Sequence, residues 1–144
     1  MSKSIDIKTK HAGVIEFQIV DGGERGILQV AEAQKNIPFP IKRTMVISRV
    51  KEGESRGAHG HRKIDQVIVP LVGSFTLGID DGETKQEIFL DNPAFGIRLM
   101  PKLWHTMTNF SSDAVVLVFC DGHHDEADYI RDYSQFLEFV RNNP

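Results

Sequence analysis

The chain has 144 residues, 40% of them hydrophobic and 26% charged, with a formal net charge of -3 and an isoelectric point near 6.0. That length and balance describe one soluble globular domain around a single core, 1–144. Nucleic acid and anionic membrane surfaces are excluded as partners, because no basic stripe is present to displace counterions, and no apolar run approaches the roughly 18 to 20 residues that span a bilayer.

The N-terminal MSKSIDIKTK lacks the apolar stretch of a secretory signal, and a lone cysteine, Cys120, can form no internal disulfide. Both features predict a cytoplasmic protein in a reducing compartment. The apolar neighbours Val116 to Phe119 predict that Cys120 is a buried structural thiol.

Turn signals recur at short intervals along the chain: Asp21-Gly22-Gly23, Asn36-Ile37-Pro38, Glu52-Gly53-Glu54, Val72-Gly73, Asp80-Asp81-Gly82, Asp91-Asn92-Pro93 and Ser111-Ser112-Asp113. Short β-rich runs lie between them. In GSFTLGID, Phe75, Leu77 and Ile79 alternate with Ser74, Thr76 and Gly78, and the turn at Asp81-Gly82 leads into KQEIFL as a hairpin. FGIRLM repeats the alternation, with Arg98 an inner-face candidate. AVVLVFC, apolar throughout, predicts a strand buried on both faces. Many short strands at this spacing imply a sandwich or barrel, occupying about residues 13–122.

Only the C-terminus changes period. Tyr129, Tyr133, Phe136, Leu137 and Val140 fall at i, i+4, i+7, i+8 and i+11, which predicts a helix over about 126–142 packed outside the barrel, with Asp125 and Glu126 at its positive end.

The histidines carry the chemistry. His59 and His61, in RGAHGH, share one face of a strand, a placement that suits either metal ligation or proton transfer. With ordinary pKa values of about 6.5 they would serve as acid and base near neutrality. His105, in PKLWHTMTN, is a pocket wall or a packed histidine, and His123-His124 reads as a solvated turn.

The spacing of Gly57, His59, His61, Gln66 and Gly73, followed by Pro101, His105 and Asn109, resembles the two cupin motifs, in which two histidines and a glutamate join a later histidine around a metal. Here Gln66 replaces the glutamate and Leu103 a glycine. Loss of the carboxylate weakens a divalent cation site, although three neutral histidines suffice in some zinc proteins.

IPFPIKR, RGAHGH, GSFTLGIDDGETKQEIFLDNPAFGI, WHTMTNFSSDAVVLV and DEADYIRDYSQF resemble, over about residues 13 to 140, the sugar nucleotide 3,4-ketoisomerases, the FdtA-type or WxcM-like cupins. The resemblance implies an all-β cupin double-stranded β-helix, or jelly-roll barrel, with a C-terminal α-helix. It implies a homodimer with exchanged N-terminal strands, no metal and no cofactor. The ligand would be a dTDP-linked 4-keto-6-deoxy sugar, converted to a 3-keto sugar for transamination in deoxy and amino sugar biosynthesis for surface polysaccharides.

His59 and His61 are the expected catalytic pair, one at carbon and the other at the oxygens; His59 at carbon and His61 at the oxygens is the working arrangement, and the reverse stays open. Arg56, Arg43 and Arg25 match family arginines and would bind the pyrophosphate and sugar. Gln66, His105, Asn109 and Arg98 complete the expected substrate contacts. Family members carry a barrel tyrosine after IKR where this chain has Thr44-Met45-Val46. Since Tyr129 and Tyr133 fall in the predicted helix, no barrel tyrosine is expected unless that helix reaches the pocket of a neighbouring subunit, and a sugar-nucleotide-binding cupin without catalysis, or a metal-dependent cupin enzyme, is the alternative.

Overall fold

Period-2 alternation in the short runs requires a second layer for each apolar face. In the computed structural model, which describes residues 5–144, two five-stranded antiparallel sheets supply those layers. One has the order β1 (Ala12–Glu16), β9 (Phe95–Leu99), β6 (Gln66–Val72), β11 (Val115–Cys120), β4 (Arg43–Ser48). The other has the order β12 (Tyr129–Ile130), β5 (Arg56–His61), β10 (Trp104–Thr108), β7 (Phe75–Asp80), β8 (Lys85–Leu90). A separate hairpin joins β2 (Gln18–Asp21) to β3 (Ile27–Val30).

The interior is filled by Phe75, Leu77 and Ile79 of β7, Ile97 and Leu99 of β9, and Val116 and Val118 of β11. Each such side chain contributes about 1.5 to 3 kcal/mol on burial. As AVVLVFC predicts, β11 is buried on both faces: Val116, Val118 and Cys120 face the barrel, while Leu117 and Phe119 join a second cluster with Phe17, Ile37, Phe39, Val67 and Val69. The β7–β8 hairpin forms as predicted. Its turn is held by Asp81 Oδ1, which accepts from the backbone N–H groups of Glu83 and Thr84 at 2.8 and 2.7 Å.

The C-terminal segment differs from expectation. The helix α1 spans Tyr133–Asn142, with Asp132 capping Gln135 N–H at 3.0 Å. Residues Glu126–Asp128 form a single 3-10 turn, and Tyr129–Ile130 pair with His61 and Gly60 as β12. The i to i+4 match of Tyr129 with Tyr133 imitates a helical stripe. Ile130, only 1% exposed, is buried from the strand instead.

The helix does pack outside the barrel. Its fully buried Phe136 meets Gly60, where an added Cβ would come within 3.0 Å of the ring. Glycine between the two histidines of β5 thus gives the helix its seat.

Candidate active site

β5 and β10 place the histidines. His59 and His61 point into the barrel from β5, and His105 lies opposite His59 across the antiparallel ladder. Between the pairs His105–His59 and Met107–Arg56 the register shifts, so β5 carries one more residue than β10 there, a β-bulge. Gly57 supplies it. Its φ is +96°, and a Cβ would stand 3.2 Å from the His105 carbonyl oxygen, so both backbone and space demand glycine.

The ring centroid of His59 lies 4.9 Å from that of His61 and 4.7 Å from that of His105, edge-on to both. His61 and His105 are 4% and 3% exposed. Burial, then the neighbouring His61, pushes the His59 pKa down to about 4. Burial also lowers His61, against the opposing pull of Asp128, and drives His105 well below the ordinary value with help from His59 and His61. Ordinary pKa values near 6.5 are therefore corrected: burial and mutual crowding lower all three rings and favour their neutral forms.

Two partners of this cluster are invisible in the motif spacing. Asp128, buried at 5%, accepts from His61 Nδ1 at 2.7 Å and from Lys63 N–H at 2.6 Å. Tyr129 places its ring 4.9 Å from His59 and 4.8 Å from His61. The expectation of a barrel without tyrosine is thereby overturned, because Tyr129 belongs to a strand paired with β5. The sequence carries no signal for this pairing, because the alternation of Asp128 and Ile130 around Tyr129 shows only once the strand is placed.

The opposite wall comes from the first sheet. Arg43, Cys120 and Gln66 are cross-strand neighbours on β4, β11 and β6. Cys120 Sγ accepts from Gln66 Nε2 at 3.5 Å and from Arg43 Nη2 at 3.8 Å. Burial works against the Arg43 charge, but contacts with Cys120 and Tyr129 leave its pKa raised. Arg43 Nε, His61 Nε2 and Gln66 Oε1 are buried without hydrogen-bond partners. Native proteins rarely leave such groups unpaired, and these three, beside the histidines, offer one donor and two acceptors to a polar ligand.

The remaining predicted contacts are dispersed. Arg56 is exposed at the start of β5, about 10 Å of strand from His59. Asn109 is exposed beyond β10 with φ +53°, about 13 Å along the chain from His105. Arg98 lies opposite the inward Ile97 and Leu99 and grips Asp65 at 2.6 to 3.2 Å, so its assignment to the inner face is corrected. Arg25 sits in the exposed turn of the β2–β3 hairpin. His123 and His124 are exposed, as expected, but in an irregular stretch without a turn, where the His124 ring lies 5.6 Å from that of Tyr129.

The three histidines present ring nitrogens within 4.8 Å of one another, and Asp128 behind His61 is the kind of partner that orients metal-bound imidazoles. This donor set fits a three-histidine transition-metal site, with Gln66 where a carboxylate would add charge. A separate concavity of about 440 Å³ lies on the outer face of the second sheet, against Trp104, Thr106 and Tyr133. Alternation along β10 puts the sheet between it and His105.

No helix among the described residues is long and apolar enough to cross a membrane. The FdtA family model, described as WxcM-like, C-terminal, matches residues 10–141. The TDP-4-oxo-6-deoxy-alpha-D-glucose-3,4-oxoisomerase of Aneurinibacillus thermoaerophilus is 47% identical over 128 residues, 88% of this chain and 91% of that protein. QdtA, a sugar 3,4-ketoisomerase from Thermoanaerobacterium thermosaccharolyticum solved with TDP, superposes with a TM-score of 0.91 at 30% identity, covering 94% of this chain and 98% of its own. A mutant of QdtA, solved with TDP-4-keto-6-deoxyglucose, gives 0.90 at 30% identity over 94% and 97%. WlaRA, a TDP-fucose-3,4-ketoisomerase from Campylobacter jejuni, gives 0.85 at 34% identity over 91% and 96%. The two-sheet barrel is thus of the cupin type, and the chain belongs to the FdtA family of sugar nucleotide 3,4-ketoisomerases.

Proposed function

We propose that this protein interconverts a TDP-linked 4-keto-6-deoxyhexose and its 3-keto isomer by histidine acid–base catalysis, without a metal. The observation that carries this reading is the pair His59 and His61 packed ring to ring beside buried polar atoms of Arg43, Gln66 and His61 that lack hydrogen-bond partners.

The chemistry follows from the substrate. A ketone at C4 acidifies the hydrogen on C3, and removing that proton leaves an enediolate shared by C3 and C4. A proton delivered to C4, and one moved between the two oxygens, completes the isomerisation. One imidazole serves the carbons and the other the oxygens. Gln66 Oε1 offers an acceptor for a sugar hydroxyl, His105 walls the cavity, and Arg43 supplies positive charge toward the oxygens or the pyrophosphate.

The test is proton NMR of TDP-4-keto-6-deoxyglucose in D2O with chelator-treated protein. A 3-keto product carrying deuterium at C4 is expected. Activity that disappears on chelation and returns with a transition metal would instead support a metal held by His59, His61 and His105, the second reading that their convergent nitrogens favour. Such a metal would polarise the sugar carbonyl as a Lewis acid.

The same reading includes a homodimer as a proposal. The β2–β3 hairpin leaves Ile19, Val20, Ile27 and Leu28 between 40% and 70% exposed, and a second copy would cover them and give Arg25 a neighbouring barrel to reach. Arg56 is proposed to meet the pyrophosphate at the surface. A monomer in sedimentation equilibrium would rule out the dimer.

A further inference from the structure

Of the three clustered histidines, only His61 has an anionic partner among the described residues. Its Nδ1 lies 2.7 Å from Asp128 Oδ2, the side chains being 4% and 3% exposed, while Nε2 on the other edge of the ring is buried and unpartnered. A carboxylate oxygen only accepts. The contact therefore requires the proton on Nδ1 and leaves the Nε2 lone pair free. The carboxylate is itself fixed, because its other oxygen accepts Lys63 N–H at 2.6 Å.

We propose that Asp128 is a positioning residue for the isomerisation: it holds His61 in the Nδ1–H form, so that Nε2 is the atom that exchanges a proton with the sugar. The kinetic part of this inference rests on the function proposed above. When Nε2 takes a proton, the electron pair of the broken C–H or O–H bond stays on the substrate as the enediolate or oxyanion. The imidazolium so formed carries N–H on both edges, with Asp128 facing one of them. Returning the proton from Nε2 restores the starting state. Asp128 takes part in none of these bonds and sets which nitrogen makes them.

The substitution Asp128→Asn separates this role from simple packing. Lys63 N–H keeps the amide oxygen on its own side, which turns the amide NH2 toward His61 Nδ1. A donor there forces Nδ1 to accept and moves the ring proton to Nε2, blocking the working nitrogen. Turnover falls roughly 10³-fold or more, as for a misoriented tautomer in an acid–base pair, while KM and TDP affinity hold. Two-bond ¹⁵N–¹H correlation spectra of histidine-labelled protein, recorded without substrate, show His61 as Nδ1–H in the wild type and as Nε2–H in the variant. Asp128→Glu, which keeps the carboxylate, retains the Nδ1–H signature and more turnover than the asparagine variant.

A wild-type His61 protonated on Nε2, or an Asp128→Asn enzyme with near-normal turnover, would overturn the proposal. Should Asp128→Asn fail to fold, the wild-type spectrum decides alone. If the wild type does not turn over any 4-keto sugar nucleotide, the functional reading falls, and the tautomer spectra still decide the role of Asp128.

Discussion

Replacing His59 by asparagine lowers turnover about 10³-fold, within the range that one positioned acid–base group supplies, and leaves TDP affinity unchanged. Asparagine keeps a polar side chain at the same point on β5 but cannot take and return a proton. The isomerisation moves protons at carbon and at oxygen, and His61→Asn removes the other carrier with a similar loss. Steady-state kinetics with TDP-4-keto-6-deoxyglucose measure both. Full activity in the two single variants would sink the acid–base mechanism.

The wild-type pH profile carries a signature of the same site. Reaction requires neutral His59, whose pKa is pushed down to about 4, and neutral His61, which burial also lowers, so the acid limb of kcat/KM is displaced below the ordinary histidine range. At pH 5 the His59 ring is neutral in about ten molecules for each charged one, whereas an unperturbed histidine near 6.5 would be neutral in only about one in thirty. Activity that persists at pH 5 identifies a crowded, desolvated base; a limb near 6.5 identifies an exposed one.

The sequence displays what depends on local period and hides what depends on pairing across the fold. Alternation along Phe75, Leu77 and Ile79 is enough to place β7 in a barrel, because one buried face per strand leaves few architectures. The two histidines of β5 were legible for the same reason, since i and i+2 share a face. Even Arg98 obeys this alternation: its position between Ile97 and Leu99 sets it opposite the core, where Asp65 takes its guanidinium.

Asp128 and Tyr129 were not legible. They reach His61 and His59 only because β12, two residues long and 67 or more residues downstream, pairs with the edge of β5. Nothing in a helical-looking stripe announces that pairing, and the real helix cap, Asp132, lies in the middle of the apparent one. A short polar run beside a histidine edge is where period-based reading is weakest, and here that run completes the site.

Tyr129→Phe tests the consequence, with an expected fall in kcat of about 10²-fold, the low end of the range for losing one donor to a developing oxyanion. The enediolate spreads negative charge over two oxygens, and the Tyr129 phenol, beside both imidazoles and the Arg43 guanidinium, is placed to donate to one of them. The chain's other tyrosine cannot substitute, because Tyr133 donates to Asp80 at 2.5 Å on the far side of the sheet. Phenylalanine keeps the ring against His59 and His61 and the backbone pairing of β12 with β5, so the melting temperature should hold. A loss confined to kcat then assigns the hydroxyl to the transition state, whereas a loss confined to KM assigns it to ground-state binding. Unchanged kinetics would reduce Tyr129 to a packing ring that closes the cavity over the histidines.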